Sequence, residues 1–139
     1  MLKNRKKIRV EWGDCDPARV VFYPRYFAYF DACTHSLFER AGLSRRNMQE
    51  KYQIVGIPLV EVRARFMAPS QFGEEIVVES CVGAFRNRSF QVQHKLYKGE
   101  KLAVEAFEIR VLAVQSADDP DKVTARPIPP DVIKRFQKP

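Results

Sequence analysis

Two hydrophobic periodicities divide the chain. After Pro24, the small and apolar residues Phe27, Phe30, Thr34, Leu37, Phe38 and Ala41 recur at three- and four-residue steps, the spacing of one helix face. Pro24 stands where the first turn of a helix tolerates a missing N–H, and Gly42 where a C-cap glycine belongs. The spacing predicts a helix of about 18 residues whose wide apolar face needs a large partner. From residue 56 onward the period changes to two. Val60, Val62 and Ala64 alternate with Glu61, Arg63 and Arg65, and Ile76 to Val82 is a β-branched run. Phe90, Val92, His94 and Leu96 alternate with Gln91, Gln93, Lys95 and Tyr97; Phe107, Ile109, Val111 and Ala113 alternate with Glu108, Arg110 and Leu112. Gly73, Asn87 and Lys98-Gly99 read as turns, and short links between successive strands favour antiparallel pairing. With Ile8 to Trp12 as a first strand, the expectation is α+β: a strand, a long helix, four strands in a meander, and a short helix near Pro130 to Phe136.

Composition narrows the class. Residues 1–139 read as one domain, with 45% hydrophobic and 29% charged residues and without repeats or Gly/Ser linkers. No run approaches the ~20 apolar residues that cross a bilayer. The N-terminal MLKNRKKIRVEW lacks the apolar block of a signal peptide, so residues 1–7 read as a basic, solvated leader and the expected location is cytoplasmic. Cys15, Cys33 and Cys81 are widely spaced and odd in number, and His35 and His94 are the only histidines. Neither a disulfide framework nor a metal site is expected. The net charge of +7 invites a polyanion, but the cations are scattered. The lack of a basic stripe with interleaved aromatics counts against a nucleic-acid-binding module, which heparin retention with a steep salt slope would reveal.

The chemistry concentrates in EWGDCDPARVVFYPRYFAYFDA, residues 11–32, where a β-like segment meets the helix. Asp14 and Asp16 there serve equally as turn formers, and a carboxylate near a helix start is favoured by its unpaired N–H groups. The same arrangement can do work. A helix N-terminus offers donors to a developing oxyanion, and a carboxylate on the loop entering it can reach a carbonyl held there. Those are two of the parts acyl transfer needs.

The segment GDCDPARVVFYPRYFAYFDA resembles the active-site segment of the hot-dog acyl-CoA thioesterases, in particular the 4-hydroxybenzoyl-CoA branch. The likeness continues through IVGIPLV (54–60), FRNRSFQVQHKL (85–96) and EIRVLAV (108–114). The resemblance implies an antiparallel sheet wrapped around one central helix, and pairing of copies at a sheet edge into a homo-oligomer: a dimer of hot dogs, then a tetramer. It implies an acyl-CoA substrate, coenzyme A being part of that substrate and no separate cofactor being needed. It also implies Asp16 as catalytic carboxylate, Tyr23 as the helix-start residue whose N–H polarises the thioester carbonyl, and Asp31 as the contact of a phenolic hydroxyl. Arg86, Arg88 and Ser89 fall in the segment that lies near the CoA phosphates. Arg19 departs from the family, which has glycine there; at positive φ an arginine costs about 1 kcal/mol or more.

One carboxylate is enough because the leaving thiol, with a pKa around 8.5, is a good leaving group. Asp16 either attacks to give a mixed anhydride or activates water as a general base, and the residues do not separate the two. Asp14 is assigned to backbone hydrogen bonding in the loop. Asp31 can equally pair with His35, four positions on. His94, on the apolar face of its strand, reads as a buried, hydrogen-bonded histidine. Arg86 and Arg88, two apart on extended backbone, would face the same way and suit phosphate recognition or a charged strand edge. Cys15 has no nearby histidine and reads as a bystander. Neither histidine sits in a hydratase-like pattern. The expected activity is hydrolysis of an aryl acyl-CoA, with a short- or medium-chain aliphatic acyl-CoA as the alternative and a non-catalytic acyl-CoA-binding protein behind it.

Overall fold

A computed structural model describes residues 1–138. The central element is helix α1 (Tyr23–Arg40), 18 residues long, as its spacing predicts. Tyr26, Phe30, Cys33, Thr34, Leu37 and Phe38 are its buried face. Pro24 lies in its first turn, and Gly42, just past the Ala41 C-cap, takes φ +79°. That left-handed glycine lets Leu43 N–H return to Phe38 O at 2.8 Å, closing the helix end.

The helix lies against a five-stranded antiparallel sheet built from β1 (Lys3–Arg9), β3 (Leu59–Phe66), β4 (Glu75–Phe85), β5 (Ser89–Lys98) and β6 (Lys101–Val111). Their spatial order is β1-β4-β5-β6-β3. The small strands β2 (Ile54–Gly56), β7 (Ala113–Gln115) and β8 (Val123–Ala125) form a second sheet in the order β2-β7-β8. Two further helices, α2 (Arg45–Tyr52) and α3 (Pro130–Gln137), complete this α+β hot-dog arrangement. No helix of the described residues is long and apolar enough to cross a membrane.

Two expectations need correction, and four elements were not expected. The basic leader is strand β1: Lys3–Arg9 pairs residue for residue with Cys81–Glu75. Its charges do not prevent this, because Lys3, Arg5, Lys7 and Arg9 all project to the exposed face, where Glu79 meets Arg5 at 2.7 Å and Lys3 at 3.6 Å. The four later strands are not a simple meander; β3 crosses over to pair with β6, leaving β4-β5-β6 as the meander. Helix α2 and strands β2, β7 and β8 were unforeseen. Helix α2 has little apolar sequence and is started by Ser44, whose side chain accepts from Asn47 N–H.

The core is two apolar clusters with a polar band between them. Val10, Phe30, Ile76, Val78, Leu96 and Val104 belong to one cluster; Leu37, Phe38, Val82, Phe90, Leu112 and Phe136 belong to the other. Across the middle run Thr34, Ser80, His94, Glu108 and Arg110, all buried. Strand β6 thus turns Glu108 and Arg110 inward, and Phe107, Ile109 and Val111 are only half-buried.

Candidate active site

The loop before α1 is a small hairpin. Phe22 N–H donates to Asp14 O at 2.8 Å and Asp16 N–H to Val20 O at 3.0 Å, with Pro17, Ala18 and Arg19 at the tip. Asp16 shapes that tip twice: its O accepts Arg19 N–H at 2.8 Å, and its Oδ1 accepts Ala18 N–H at 2.9 Å. The Asx turn fixes the carboxylate through one oxygen, while Oδ2 has no partner among the described residues. Arg19 takes φ +70°, so the position does use the left-handed conformation that glycine favours, and arginine is accommodated there under strain. Its side chain forms no ion pair with Asp16.

The hairpin is tied to its surroundings through Asp14. Its Oδ2 accepts Glu11 N–H at 3.0 Å and the Tyr29 hydroxyl at 2.7 Å. Burial first, then the adjacent Asp14 carboxylate, push the Tyr29 phenol well above its ordinary range. Asp14 is therefore the loop's hydrogen-bonding residue, as expected, and Tyr29 is a partner that spacing alone did not reveal.

At the start of α1, Phe22 N–H and Arg25 N–H are taken by Asp14 O and Phe22 O, and Pro24 has none. The Tyr23 N–H is left without an acceptor among the described residues. Beside it lies an apolar cleft of about 280 Å³ lined by Val21, Tyr23, Tyr26, Phe66, Met67 and neighbouring residues. Four-residue steps from Tyr23 lead to Phe27, Asp31 and His35 along one stripe of the helix, Asp31 being ~12 Å along the axis from Tyr23. Phe27, Asp31 and His35 line a larger cleft of about 510 Å³, walled opposite by Ile57, Leu59 and Val62. Phe66, which lines the smaller cleft, packs on both Tyr26 and Phe27, with ring centroids 5.3 and 6.3 Å away. Asp16 lines neither cleft.

Asp31 does approach His35, at 3.8 Å, but its closer partner is Arg110, whose Nη2 donates to Asp31 Oδ1 at 2.9 Å. Arg110 and Glu108 are functional candidates that the β6 alternation concealed, since charged residues at period two read as a solvent face. The buried, hydrogen-bonded state expected for His94 is observed: Phe30 stacks on the ring, Ser80 Oγ lies 2.7 Å from Nδ1 and Thr34 Oγ1 3.1 Å from Nε2.

Arg86, Arg88 and Ser89 lie elsewhere. They form the β4–β5 turn, closed by Arg86 N–H to Ser89 O at 2.8 Å, so the extended-backbone argument for a shared face does not apply. Both arginines are exposed. The turn and the Asp16 hairpin flank opposite ends of β4, whose 11 residues span roughly 35 Å. One chain therefore does not bring these two groups together. The described residues contain no group of three or more His, Cys, Asp or Glu placed to hold a metal, and all three cysteines are free.

The hairpin, the unpaired helix-start amide and the cleft beside it agree with relationships found across whole chains. Residues 10–136 match the model of the thioesterase-like superfamily. The chain belongs to that superfamily. It is an acyl-CoA thioesterase of the hot-dog type, similar to the 4-hydroxybenzoyl-CoA thioesterase of Pseudomonas sp. (strain CBS-3), with 33% identity over 91% of this chain and 92% of that one. The solved structure of that enzyme superposes with a TM-score of 0.87 at 31% identity, covering 96% of this chain and 98% of that one. A gentisyl-coenzyme A thioesterase superposes at 0.81 with 27% identity, covering 97% and 100%. A 1,4-dihydroxy-2-naphthoyl-CoA hydrolase of Prochlorococcus marinus (strain MIT 9211) is 26% identical over 70% of this chain and 68% of that one.

Proposed function

We propose that this thioesterase hydrolyses an aryl acyl-CoA, of the hydroxybenzoyl kind, to the free acid and CoA. The observation that carries the reading is the stripe on α1: an unpaired Tyr23 amide at one end, the Asp31 carboxylate two turns along, and a cleft beside each. The thioester oxygen takes the Tyr23 N–H, the ring lies along Phe27, and a phenolic hydroxyl donates to Asp31. That three of the similar proteins are named for aromatic acyl groups supports the same assignment.

Asp16 supplies the attack, as nucleophile or as general base on water. Binding of the carbonyl at Tyr23 stabilises the oxyanion as the tetrahedral intermediate forms, and collapse expels the thiolate; on the nucleophile route water then opens the mixed anhydride, releasing the acid and freeing Asp16. No cofactor takes part; coenzyme A belongs to the substrate.

Arg86, Arg88 and Ser89 bind the CoA phosphates of a substrate cleaved on another copy, because within one chain they face away from Asp16. An assembly also answers the exposed edge of the sheet. Strand β3 is terminal in the order and leaves apolar surface in water at Leu59, Val60, Phe66 and Met67, with Val60 64% exposed. Pairing of two β3 edges gives a homodimer, and two such dimers a tetramer, in the cytoplasm.

The apolar wall of the larger cleft keeps an aliphatic acyl-CoA as a second reading. Thiol release measured over benzoyl-, hydroxybenzoyl-, phenylacetyl- and fatty acyl-CoA tests the choice. Highest kcat/KM on a hydroxybenzoyl substrate is expected; highest kcat/KM on a fatty acyl-CoA replaces the aryl reading with the aliphatic one.

A further inference from the structure

Burying an arginine and a glutamate under the central helix of a small domain is expensive, and such pairs are often replaced by apolar residues without loss of stability. The side chains here are 4% and 2% exposed, yet they are held by a network with a definite direction. At its inner end, Glu108 Oε1 accepts from Thr34 Oγ1 at 2.5 Å and lies 3.2 Å from His94 Nε2. An ionised carboxylate only accepts, so the histidine proton facing Glu108 sits on Nε2, and Nδ1 is left to Ser80. Glu108 in turn takes Arg110 side-on, Nε to Oε1 at 3.0 Å and Nη2 to Oε2 at 3.1 Å. Arg110 Nη1 donates to Ile57 O at 2.9 Å, on the far wall of the larger cleft. The guanidinium is thus fixed in plane by three bonds, and its remaining outward bond, from Nη2, reaches Asp31 Oδ1.

Asp31 is the end of this chain that meets solvent, its side chain 56% exposed, and its Oδ2 has no partner among the described residues. An exposed aspartate on a helix ordinarily samples several rotamers. A planar, immobilised donor restricts it to one, and does so at the floor of a cleft. We infer that Arg110, locked by Glu108 and Ile57, is a positioning residue that aims the Asp31 carboxylate at a hydrogen-bond donor on the far end of the acyl group. The inference rests on the acyl-cleft reading above and extends it: the selected class is acyl groups ending in a phenol, amide N–H or ammonium. Arg110 does not touch the reacting atoms; its effect passes through Asp31.

The test compares kcat and KM on 4-hydroxybenzoyl-CoA and benzoyl-CoA for the full chain and for Asp31→Asn, Arg110→Met and Arg110→Lys, with unfolding followed for each variant. Removing an aimed charged acceptor is expected to lower the hydroxylated-to-unsubstituted kcat/KM ratio about ten- to a hundredfold. Arg110→Met is expected to lower that ratio as Asp31→Asn does, through a raised KM for the hydroxylated substrate. Arg110→Lys keeps a cation in the core but loses the fork, and restores the ratio only in part. It carries the test alone if the methionine variant does not fold. A merely structural role for Arg110 would depress both substrates equally and leave the ratio unchanged, which overturns the inference. If Asp31→Asn itself leaves the ratio unchanged, the failure lies in the acyl-cleft reading instead.

Discussion

The Tyr29 hydroxyl donates to Asp14 Oδ2 at 2.7 Å, joining the second turn of α1 to the hairpin that carries Asp16. The same oxygen holds Glu11 N–H, and the Asp14 carbonyl holds Phe22 N–H. One aspartate therefore fixes the spacing between the catalytic candidate and the helix start. Tyr29→Phe removes one bond from that knot. A drop in kcat of about tenfold is expected with a loss of only ~1 kcal/mol in stability, seen as a melting shift of a few degrees. Unchanged turnover would mean that the hairpin holds its shape without the tyrosine.

Asp16→Asn is isosteric and keeps an oxygen for the Ala18 amide, so the tip of the hairpin should survive. Thiol release should fall by about 10²–10⁴-fold, the size expected when a nucleophile or general base is removed, with the thermal midpoint unchanged. Wild-type turnover in the asparagine variant would take Asp16 out of the chemistry.

Arg19, at φ +70°, invites the opposite experiment. Arg19→Gly should relieve the left-handed strain and raise stability by up to about 1 kcal/mol, the gain being trimmed by the greater freedom of glycine in the unfolded chain. Chemical denaturation gives the sign. A loss of stability would mean that the arginine side chain contributes more than its backbone costs.

Glu108 sets an acid limit on the fold. Burial alone would raise its pKa, but hydrogen bonds from His94 and Arg110, the His94 interaction and the Thr34 bond together hold it at about 2 instead of 4.5. The folded-state value lies below the unfolded one, so this stabilisation is complete above about pH 4.5 and disappears as pH falls towards 2. It amounts to roughly 3 kcal/mol. Glu108→Gln should flatten that part of the stability–pH curve and destabilise the protein by about 3–5 kcal/mol at pH 7, since Arg110 stays buried without its buried counter-charge, keeping only the exposed Asp31 and the Ile57 carbonyl. Denaturant titrations at pH 7, 4 and 3 check both; an unchanged acid slope would place the limit on other carboxylates.

Sequence pattern revealed α1, the β4-β5-β6 meander and the C-terminal helix because each has one dominant period and a clear stop, such as Gly42 or Gly99. It misassigned β1 because strand pairing depends on what lies opposite, and Glu79 lies some seventy residues away. It marked the turn at Asn87 but treated Arg86 and Arg88, on either side of it, as extended backbone, because alternate spacing does not show where a strand stops. The Asp14–Asp16 loop and a helix start with unpaired donors were legible, since helix-start chemistry is local; that the free amide belongs to Tyr23 was implied by the family resemblance. Arg110 was not. A charged residue facing inward is explained only by Glu108 and Asp31, one beside it on the strand and one on the helix above.

The separation of the β4–β5 turn from the Asp16 hairpin by the length of a strand has a consequence for how this enzyme can change. Within one chain, perturbations so far apart, with no shared partner, combine as independent factors in stability. Substitutions at Arg86 or Arg88 should therefore shift the folding free energy by the same amount whether or not the Asp16 hairpin is intact. The turn can then drift in sequence without loosening the hairpin at the other end of the strand.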